Sequence, residues 1–321
     1  MHYQSIFKAG SFNGKTVIIT GGGSGIGRCT AHELASLGAK VILLGRNRDK
    51  LDTVLGELHQ DGYQAYAYAL DIRDEPAVIN TVAQILAELG PVHALVNNAG
   101  GQFPSPLEHI SANGFKAVLD TNLTGGFLLA RELFKSCFKV RGGVIVNITA
   151  DFHNGMPLMA HSGAARAGMA NLTQSAAWEW GPYGVRSNNV APGWVASSGL
   201  DSYDEKFQQK LRQIQKQVPL QRLATEAEIS AAICFLLSDA AAFINGITLR
   251  VDGGSSLASP AAIAPLRQQP DAQQQVFNGF HRAVSPLCLE ERGLEERALQ
   301  EKNLEERSPQ EEDLQEQQHH D

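Results

Sequence analysis

A glycine-rich turn stands between an apolar run and a segment of helical character near the start of the chain. It reads Thr20-Gly21-Gly22-Gly23-Ser24-Gly25-Ile26-Gly27 and directly follows Val17-Ile18-Ile19. Gly21 can turn at positive φ, Gly25 leaves no Cβ where a ligand approaches the backbone, and Gly27 lets the helix pack closely on the strand. The helix amino terminus offers unpaired N–H groups to an anion. This order of strand, turn and helix predicts a binding site for a dinucleotide diphosphate.

Short apolar runs alternate with amphipathic stretches along most of the chain. We predict strands at Thr16–Thr20, Lys40–Gly45, Gln64–Leu70, Ala94–Asn97, Gly143–Ile148, Val185–Val190 and Thr248–Val251, and helices at Gly25–Leu37, Asp49–Gln60, Glu75–Leu89, Ser162–Glu179 and Glu226–Leu237, with Phe115–Val140 largely helical. Several of the strands are almost wholly apolar, as in parallel strands buried on both faces. The pattern predicts an α/β fold, a single Rossmann-type doubly wound parallel sheet with helices on both faces.

Composition divides the chain at about residue 258. We expect residues 1–258 to form the dinucleotide-binding domain. Residues 259–321 are rich in Pro and Gln and then in Glu, and we expect a disordered tail, with a partner-binding segment as the alternative. Residues 289–321 contain 12 acidic and 4 basic residues, which leaves 22 acidic and 23 basic residues in the rest of the chain. The globular part is therefore close to neutral, and no basic stripe indicates nucleic-acid binding.

Cysteine spacing and the absence of targeting segments indicate the cellular compartment in which we expect the protein. Cys29, Cys137, Cys234 and Cys288 lie far apart without the spacing of a metal site, so we expect reduced thiols and no bound metal. The amino terminus has no basic region followed by an apolar stretch, and no run of about 18 apolar residues occurs. We therefore expect a cytoplasmic protein with no membrane partner.

Four motifs in sequence order resemble those of a known superfamily. They are Thr20-Gly21-x-x-x-Gly25-x-Gly27, Asn97-Asn98-Ala99-Gly100, Asn122 within Thr-Asn-Leu-Thr-Gly, and Pro192-Gly193. Over roughly residues 12–257 the chain resembles the short-chain dehydrogenase/reductase superfamily. Within this superfamily, the peroxisomal trans-2-enoyl-CoA reductases resemble the chain over residues 97–124 and 161–168. The related 2,4-dienoyl-CoA reductases share the general arrangement. Members of the superfamily commonly form tetramers, so the resemblance implies a homo-oligomer, either a tetramer or a dimer.

The residues that follow the second predicted strand indicate the cofactor. Gly45-Arg46-Asn47-Arg48 offers no carboxylate to a ribose 2′-hydroxyl, but one or two guanidinium groups that can pair with a 2′-phosphate. The sequence therefore favours NADP(H), with Arg46 at the phosphate; a basic surface loop is the alternative. The resemblance implies Asp71 and Ile72 at the adenine, Asn98, Ala99 and Gly100 at the adenosine, and Pro192, Gly193 and Val195 at the nicotinamide.

The superfamily's usual tyrosine and lysine, four residues apart, correspond to Ser162 and Arg166 in this chain. Serine is a far weaker acid than a phenol and arginine does not usefully release its proton, so alcohol–ketone interconversion loses its acid–base group. Reduction of an α,β-unsaturated thioester does not need a strong acid at the substrate oxygen, because the enolate oxygen needs only hydrogen-bond donors. We expect Ser162 to donate there and Arg166 to hold the nicotinamide ribose. Alternatively, Ser162 only caps its helix.

Asn122 and Thr149 complete the expected site. The resemblance gives Asn122 a supporting role, with a purely structural amide as the alternative. Thr149 falls in the region of the superfamily's catalytic serine, so we expect a second donor to the thioester oxygen there. The tyrosines of the enoyl-CoA and dienoyl-CoA reductases fall on Ala170 and Asp151. The source of the proton therefore stays open among Thr149, Asp151, His153 and His161.

Three functions are consistent with these observations. The first is NADPH-dependent reduction of the C=C bond of a 2-enoyl-CoA or dienoyl-CoA thioester. The second is NAD(P)-dependent oxidation or reduction of medium-chain or terpenoid alcohols and aldehydes. The third is NADP binding with little catalysis. The expected partner is a small hydrophobic substrate such as an acyl-CoA.

Overall fold

The computed structural model describes residues 2–202, 214–257, 275–286 and 289. The described residues contain the strands β1 (Thr16–Thr20), β2 (Lys40–Gly45), β3 (Ala65–Ala69), β4 (Ala94–Asn97), β5 (Gly143–Ile148), β6 (Val185–Pro192), β7 (Val195–Ala196), β8 (Ala224–Thr225) and β9 (Thr248–Val251). Seven of these strands form a parallel sheet in the order β3-β2-β1-β4-β5-β6-β9. The short strands β7 and β8 pair with each other outside the main sheet.

Helices connect the strands and cover the sheet. They are α1 (Gly25–Ser36), α2 (Arg48–Gln60), α3 (Glu75–Leu89), α4 (Ala112–Leu119), α5 (Gly125–Leu133), α6 (Lys139–Arg141), α7 (Ala160–Trp180) and α8 (Glu226–Leu237). Two π-helical segments, Asp120–Thr124 and Phe134–Phe138, interrupt the run from α4 to α6. No described helix has the length and apolar character needed to cross a bilayer.

Side chains alternate between two hydrophobic cores, one on each face of the sheet. In β1, Val17 and Ile19 face the core formed with α1, α2 and α8, whereas Ile18 faces the core formed with α3 and α5. All three side chains are fully buried, as expected for a central strand of a parallel sheet. The doubly wound fold expected from the sequence is therefore confirmed.

The predicted boundaries lie within a few residues of those observed. The main differences concern Phe115–Val140, which belongs to a longer helical run that begins at Ala112, and the pair β7–β8, which the sequence did not predict. Two-residue strands carry too little alternation to be recognised as a pattern. The π-helical segment 120–124 was also not predicted, although it contains one of the expected site residues.

The structure corrects the expectation that the chain is disordered throughout residues 259–321. Residues 275–286 pack on the amino-terminal segment and on α1 and α2, where Phe280 is buried beside Tyr3 and Cys29. Arg282 pairs with Asp61 at 2.7 Å. A buried aromatic ring, contacts of His281 and Arg282 with Asp61, and hydrogen bonds to Phe277 and Gly279 hold this segment in place. None of these contacts is visible in average composition. The acidic repeat after residue 289 lies outside the described residues, and its disorder stays a prediction.

Candidate active site

The glycine turn lies at the carboxyl end of β1 and is held by hydrogen bonds from the end of β4. Gly21 and Gly25 have φ values of 65° and 55°, which favour glycine. The Thr20 hydroxyl accepts from the backbone N–H groups of Asn98 and Ala99, each at 2.9 Å. A Cβ at Gly27 would lie 2.4 Å from the Gly21 carbonyl oxygen. Glycine at these positions is therefore required by the turn itself.

The amino terminus of α1 has the features of an anion site. Ser24 is the N-cap in extended conformation, but its side chain makes no capping hydrogen bond, and the first turn contains no acidic residue. A Cβ placed on Gly25 would have only the Glu226 Oε1 atom within 4 Å, at 3.8 Å. The backbone is open to a ligand here, so the residues present fit the diphosphate of a dinucleotide.

A cleft of about 530 Å³ extends from the glycine turn past the end of β2. Its lining includes Gly21, Ser24, Arg46, Asp71, Ile72, Asn98, Ala99 and Gly100. The structure therefore brings together the residues expected at the adenosine half of the cofactor. Asp71 pairs with Arg73 at 2.6 Å, and this hydrogen bond lowers the pKa of Asp71 to about 2.

Arg46 and Arg48, of which the sequence predicted one or both within reach of a 2′-phosphate, differ in their surroundings. Asn47 caps α2 by accepting from the Lys50 N–H at 2.9 Å. Arg48 is paired with Asp52 at 2.8 Å. Among the described residues, Arg46 forms no hydrogen bond or ion pair, and it lines the cleft. Arg46 is therefore the guanidinium available to a phosphate.

Ser162 lies at the start of α7 within a buried group of polar side chains. Its hydroxyl is fully buried and donates to the Gln102 Oε1 atom at 2.7 Å. The Asn122 Nδ2 group, carried by the π-helical segment, lies 3.4 Å from the Ser162 oxygen. Asn122 also accepts from the Gly101 N–H and donates to the Gly101 carbonyl. Asn122 thus fixes the loop that carries Gln102, and both amides position the serine hydroxyl.

Arg166 lies one turn further along α7 and is buried. Its Nη1 donates to the Ile148 carbonyl at the end of β5, at 2.6 Å, whereas its Nε has no hydrogen-bond partner. A Cβ on Gly100 would lie 2.6 Å from Nη2, so the guanidinium sits directly beneath that loop. Burial lowers the pKa of Arg166 to about 10, and it remains charged at neutral pH. A buried cation with an unpaired Nε fits a site completed by the cofactor's hydroxyl groups.

The residues expected at the nicotinamide lie at the carboxyl end of β6. The Gly193 N–H donates to the Val251 carbonyl at 3.0 Å, and a Cβ there would lie 2.8 Å from the Asp252 Cα. Val195 is buried and pairs with β8. The Pro192 carbonyl accepts from the Asp151 N–H at 3.1 Å. The backbone of this segment is therefore fixed between the two neighbouring loops.

The remaining candidates for proton transfer have different environments. The Thr149 hydroxyl donates to the Val190 carbonyl at 3.1 Å, so its proton is engaged within the sheet rather than free for a substrate oxygen. Asp151 is half-buried, with Oδ1 lacking a hydrogen bond, and His153 stacks on Phe152. His161 is fully buried; its Nδ1 accepts from the Ser162 N–H at 2.9 Å and its Nε2 has no partner. The expected role of Thr149 as a donor therefore has no support from its hydrogen bonding.

Sequence reasoning missed two residues of this site. Thr20 was noted only as part of the glycine motif, although its hydroxyl joins the end of β4 to the turn. Gln102 lies in a loop without regular structure and gave no sequence signal. Only the distance of 2.7 Å to the Ser162 oxygen identifies Gln102.

Glu226 predicts a pH dependence of cofactor binding. Burial raises the pKa of this carboxyl to about 7, and the group lies beside Gly25 at the expected diphosphate position. Above pH 7 the ionised carboxylate repels the diphosphate, whereas below it the carboxyl is neutral. We expect the Kd for NADPH to rise roughly three- to tenfold between about pH 6 and pH 8. Titration of NADPH fluorescence at each pH measures this.

The Glu226→Gln variant tests the assignment of this pH dependence. It removes the titrating group, so its Kd should be nearly independent of pH over the same range. Glu88→Gln serves as the control, because Glu88 is exposed and hydrogen-bonded to Tyr68 away from the cleft. An unchanged slope in Glu226→Gln would refute the role of Glu226.

Comparisons with known proteins find relatives over most of the chain. A family model described as enoyl-(acyl carrier protein) reductase matches residues 21–256. The peroxisomal 2,4-dienoyl-CoA reductase [(3E)-enoyl-CoA-producing] of Mus musculus is 36% identical over 268 residues, which cover 82% of this chain and 91% of that protein.

Solved structures show the same fold with different substrates in their names. The citronellol catabolism dehydrogenase (AtuB) of Pseudomonas aeruginosa PAO1 has a TM-score of 0.72 and 55% identity, covering 79% of this chain and all of that one. A gluconate 5-dehydrogenase of Burkholderia cenocepacia J2315, in complex with NADP and tartrate, has a TM-score of 0.72 and 31% identity, covering 77% and 97%. These relatives share oxidoreductase chemistry but not a substrate.

Proposed function

Because the chain belongs to the short-chain dehydrogenase/reductase superfamily, we propose that it uses NADPH to reduce the C=C bond of a 2-enoyl-CoA or dienoyl-CoA thioester. One observation carries the proposal. A buried serine hydroxyl, held by two amides, stands beside an arginine where the superfamily has its tyrosine and lysine. This arrangement provides hydrogen-bond donation without an acid able to protonate an alkoxide.

The chain's own residues support such a reduction in three ways. NADPH, when bound, would supply the hydride, to Cβ in the case of a 2-enoyl thioester. The Ser162 hydroxyl, which now donates to Gln102, donates instead to the thioester oxygen and stabilises the enolate. The Asn122 amide donates to the serine oxygen at 3.4 Å and helps to keep it in place. The burial of Ser162 and Arg166 excludes water from these hydrogen bonds, which makes them stronger.

The described tyrosines lie away from this group of residues. Tyr3 is buried against α1 and Tyr68 bonds Glu88 on the edge of the sheet. Tyr63 bonds His2, and Tyr66 is exposed on the edge strand β3. Tyr183 packs on Phe134, and Tyr203 lies outside the described residues. Among the described residues, therefore, the site offers no phenol to the substrate, and we propose that the proton for Cα comes from solvent or from another side chain.

NADP(H) is the cofactor that we propose for this site. The free Arg46 at the end of β2 supports it, as do NADP in the gluconate 5-dehydrogenase structure and the absence of an acidic residue in the segment 45–48. We propose further that the enzyme acts as a homo-oligomer in the cytoplasm. Members of the superfamily that this chain resembles commonly form tetramers, and this supports the oligomer.

Removal of the Arg46 guanidinium tests whether the protein prefers NADPH to NADH. A charge-assisted bidentate hydrogen bond to a 2′-phosphate contributes about 1.5–3 kcal/mol. Arg46→Ala should therefore raise the Kd for NADPH roughly 10- to 100-fold and leave the Kd for NADH within about twofold. Arg48→Ala is the matched control, since Arg48 is engaged by Asp52 and its loss should change neither constant. Equal weakening of NADPH and NADH by Arg46→Ala would count against NADP specificity.

A second candidate is oxidation or reduction of a terpenoid or medium-chain alcohol or aldehyde. The observation that favours it is the 55% identity to the citronellol catabolism dehydrogenase. Carbonyl chemistry on this site needs Ser162 and its amide partners to deliver or remove a proton at oxygen, which a serine does poorly without a stronger base.

One experiment separates the candidates. The purified full-length protein is assayed by NADPH absorbance with trans-2-enoyl-CoA and 2,4-dienoyl-CoA esters of several chain lengths, and with citronellol or citronellal in both directions. Turnover of CoA esters at least 100-fold above that of the alcohols supports the first proposal. Turnover of the alcohol or aldehyde alone replaces it with the second. Tight NADPH binding without turnover of either class indicates a binding protein.

A further inference from the structure

A buried group of titratable side chains lies outside the candidate active site, where residues 275–286 cross α1 and α2. It consists of His32 on α1, Asp61 at the end of α2, and His281 from the C-terminal segment. Their side chains are 0%, 6% and 8% exposed. One ligand atom from each can be chosen so that all three lie within 4.8 Å of one another. Because the three residues are far apart in sequence, no motif links them.

Hydrogen bonding within this group leaves one ring nitrogen of His32 without a partner. The His32 Nε2 lies 3.1 Å from Glu57, a carboxylate that Arg28 holds with two hydrogen bonds. A carboxylate only accepts, so Nε2 carries the hydrogen and Nδ1 of the neutral ring bears a lone pair. That Nδ1 lies 3.5 Å from the Asp61 Oδ2 and has no hydrogen-bond partner. Two lone pairs therefore face each other in a site closed to solvent.

We infer that His32, Asp61 and His281 bind a zinc ion or a similar divalent transition metal. Two imidazoles and one carboxylate form a common zinc ligand set, and a fourth position remains for water. Ligand atoms around tetrahedral zinc lie about 3.3 Å apart. The separation of 3.5 Å between the His32 Nδ1 and the Asp61 Oδ2 is close to this value. The His281 Nε2 lies 2.9 Å from the same Asp61 oxygen and donates its hydrogen there. Metal binding would therefore release this proton to solvent and widen the separation by a few tenths of an ångström.

The surrounding residues orient these ligands as in known metal sites. His32 donates its second ring nitrogen to Glu57, which fixes the tautomer that leaves Nδ1 free for a metal. Arg282 donates to the other Asp61 oxygen at 2.7 Å and holds the carboxylate in place. Such outer hydrogen bonds commonly hold metal-ligating histidines and carboxylates. The metal would join the C-terminal segment to α1 and α2.

Two cations oppose metal binding and limit the expected affinity. Arg28 and Arg282 balance the charges of Glu57 and Asp61, so the ion adds net positive charge to a neutral group. We therefore expect a micromolar rather than a nanomolar dissociation constant. Binding should act on stability rather than on catalysis, since the group lies apart from Ser162 and Arg166.

The test uses the full-length protein with both terminal histidines removed, His319→Ala and His320→Ala, because this pair can itself bind metal. After dialysis against a chelator, the protein is titrated with Co²⁺ and with Zn²⁺ alone. We expect the visible d–d absorption of four-coordinate Co²⁺, one Zn²⁺ per chain by calorimetry, and a melting temperature several degrees higher.

Single substitutions in that background locate the site. His281→Gln and Asp61→Asn should each weaken Zn²⁺ binding at least tenfold and abolish the rise in melting temperature. His59→Gln is the matched control on α2, since His59 bonds the Ala65 carbonyl outside the group, and it should bind zinc like the background protein. Absence of binding at about 0.1 mM Zn²⁺, or unchanged binding in both His281→Gln and Asp61→Asn, would overturn the inference.

Discussion

Replacement of Ser162 by alanine should lower kcat/KM for the enoyl-CoA substrate by about 10²–10³, the usual cost of losing one hydrogen-bond donor to a developing oxyanion. The hydroxyl is fully buried and held between Gln102 and Asn122, so water cannot replace it in the same geometry. Steady-state kinetics and NADPH titration measure the effect. The Kd for NADPH should change less than twofold, because the loss concerns the transition state and not the cofactor.

Ser175→Ala is the matched control for this substitution. Ser175 lies on the same helix, is exposed, and donates to the Asn171 carbonyl at 3.3 Å, so its loss should leave kcat/KM unchanged. Ser162→Thr retains a hydroxyl and should recover part of the activity. The helix begins at Ala160 with Met159 as its N-cap, so Ser162 does not cap it. If Ser162→Ala keeps kcat/KM within about threefold of wild type, the serine has only a structural role and the proposed role is wrong.

Replacement of Arg166 by alanine should have a comparably large effect with a different signature. The guanidinium is buried beneath Gly100 and tied to the Ile148 carbonyl, so its removal affects both the loop and the expected contact to the nicotinamide ribose. We expect the Kd for NADPH to rise about tenfold and kcat/KM to fall by roughly 10²–10³.

Arg166→Lys distinguishes charge from geometry at this position. A lysine keeps the charge but lacks the planar fork that reaches Ile148 and the Gly100 loop together, so its kcat/KM should lie between those of wild type and Arg166→Ala. Circular dichroism and melting temperature serve to show that both variants fold. Wild-type affinity for NADPH in a folded Arg166→Ala protein would contradict the role of Arg166 in holding the cofactor.

The two predictions also separate the two halves of the site. Ser162→Ala is expected to act on kcat with little change in cofactor affinity, whereas Arg166→Ala acts on both. If the two residues merely stabilised the start of α7, both variants would lose melting temperature equally. Their effects on kcat and on NADPH affinity would then not differ in this way. The kinetic pattern therefore tests the proposed roles independently of the substrate's identity.

Residue order along the chain determined the fold and the expected position of the cofactor. Apolar runs such as Val17–Ile19, followed by glycine and then by a helical segment, can bury their side chains on both faces only in a parallel sheet. The backbone requirements of Gly21 and Gly27 are local, so the motif alone predicts the turn. Superfamily membership followed from these motifs, and the family match over residues 21–256 confirms it.

Contacts between distant residues were decided only by the tertiary structure. Ser162 and Arg166 were recognised from their spacing, but Gln102 has no local signal and became visible only through its distance from the Ser162 oxygen. Thr149 was expected to donate to substrate, whereas the pairing of β5 with β6 directs its proton to Val190. The grouping of His32, Asp61 and His281 likewise depends on where the C-terminal segment crosses α1. Local patterns encode backbone geometry, whereas the direction of a hydrogen bond depends on neighbours that only the folded chain supplies.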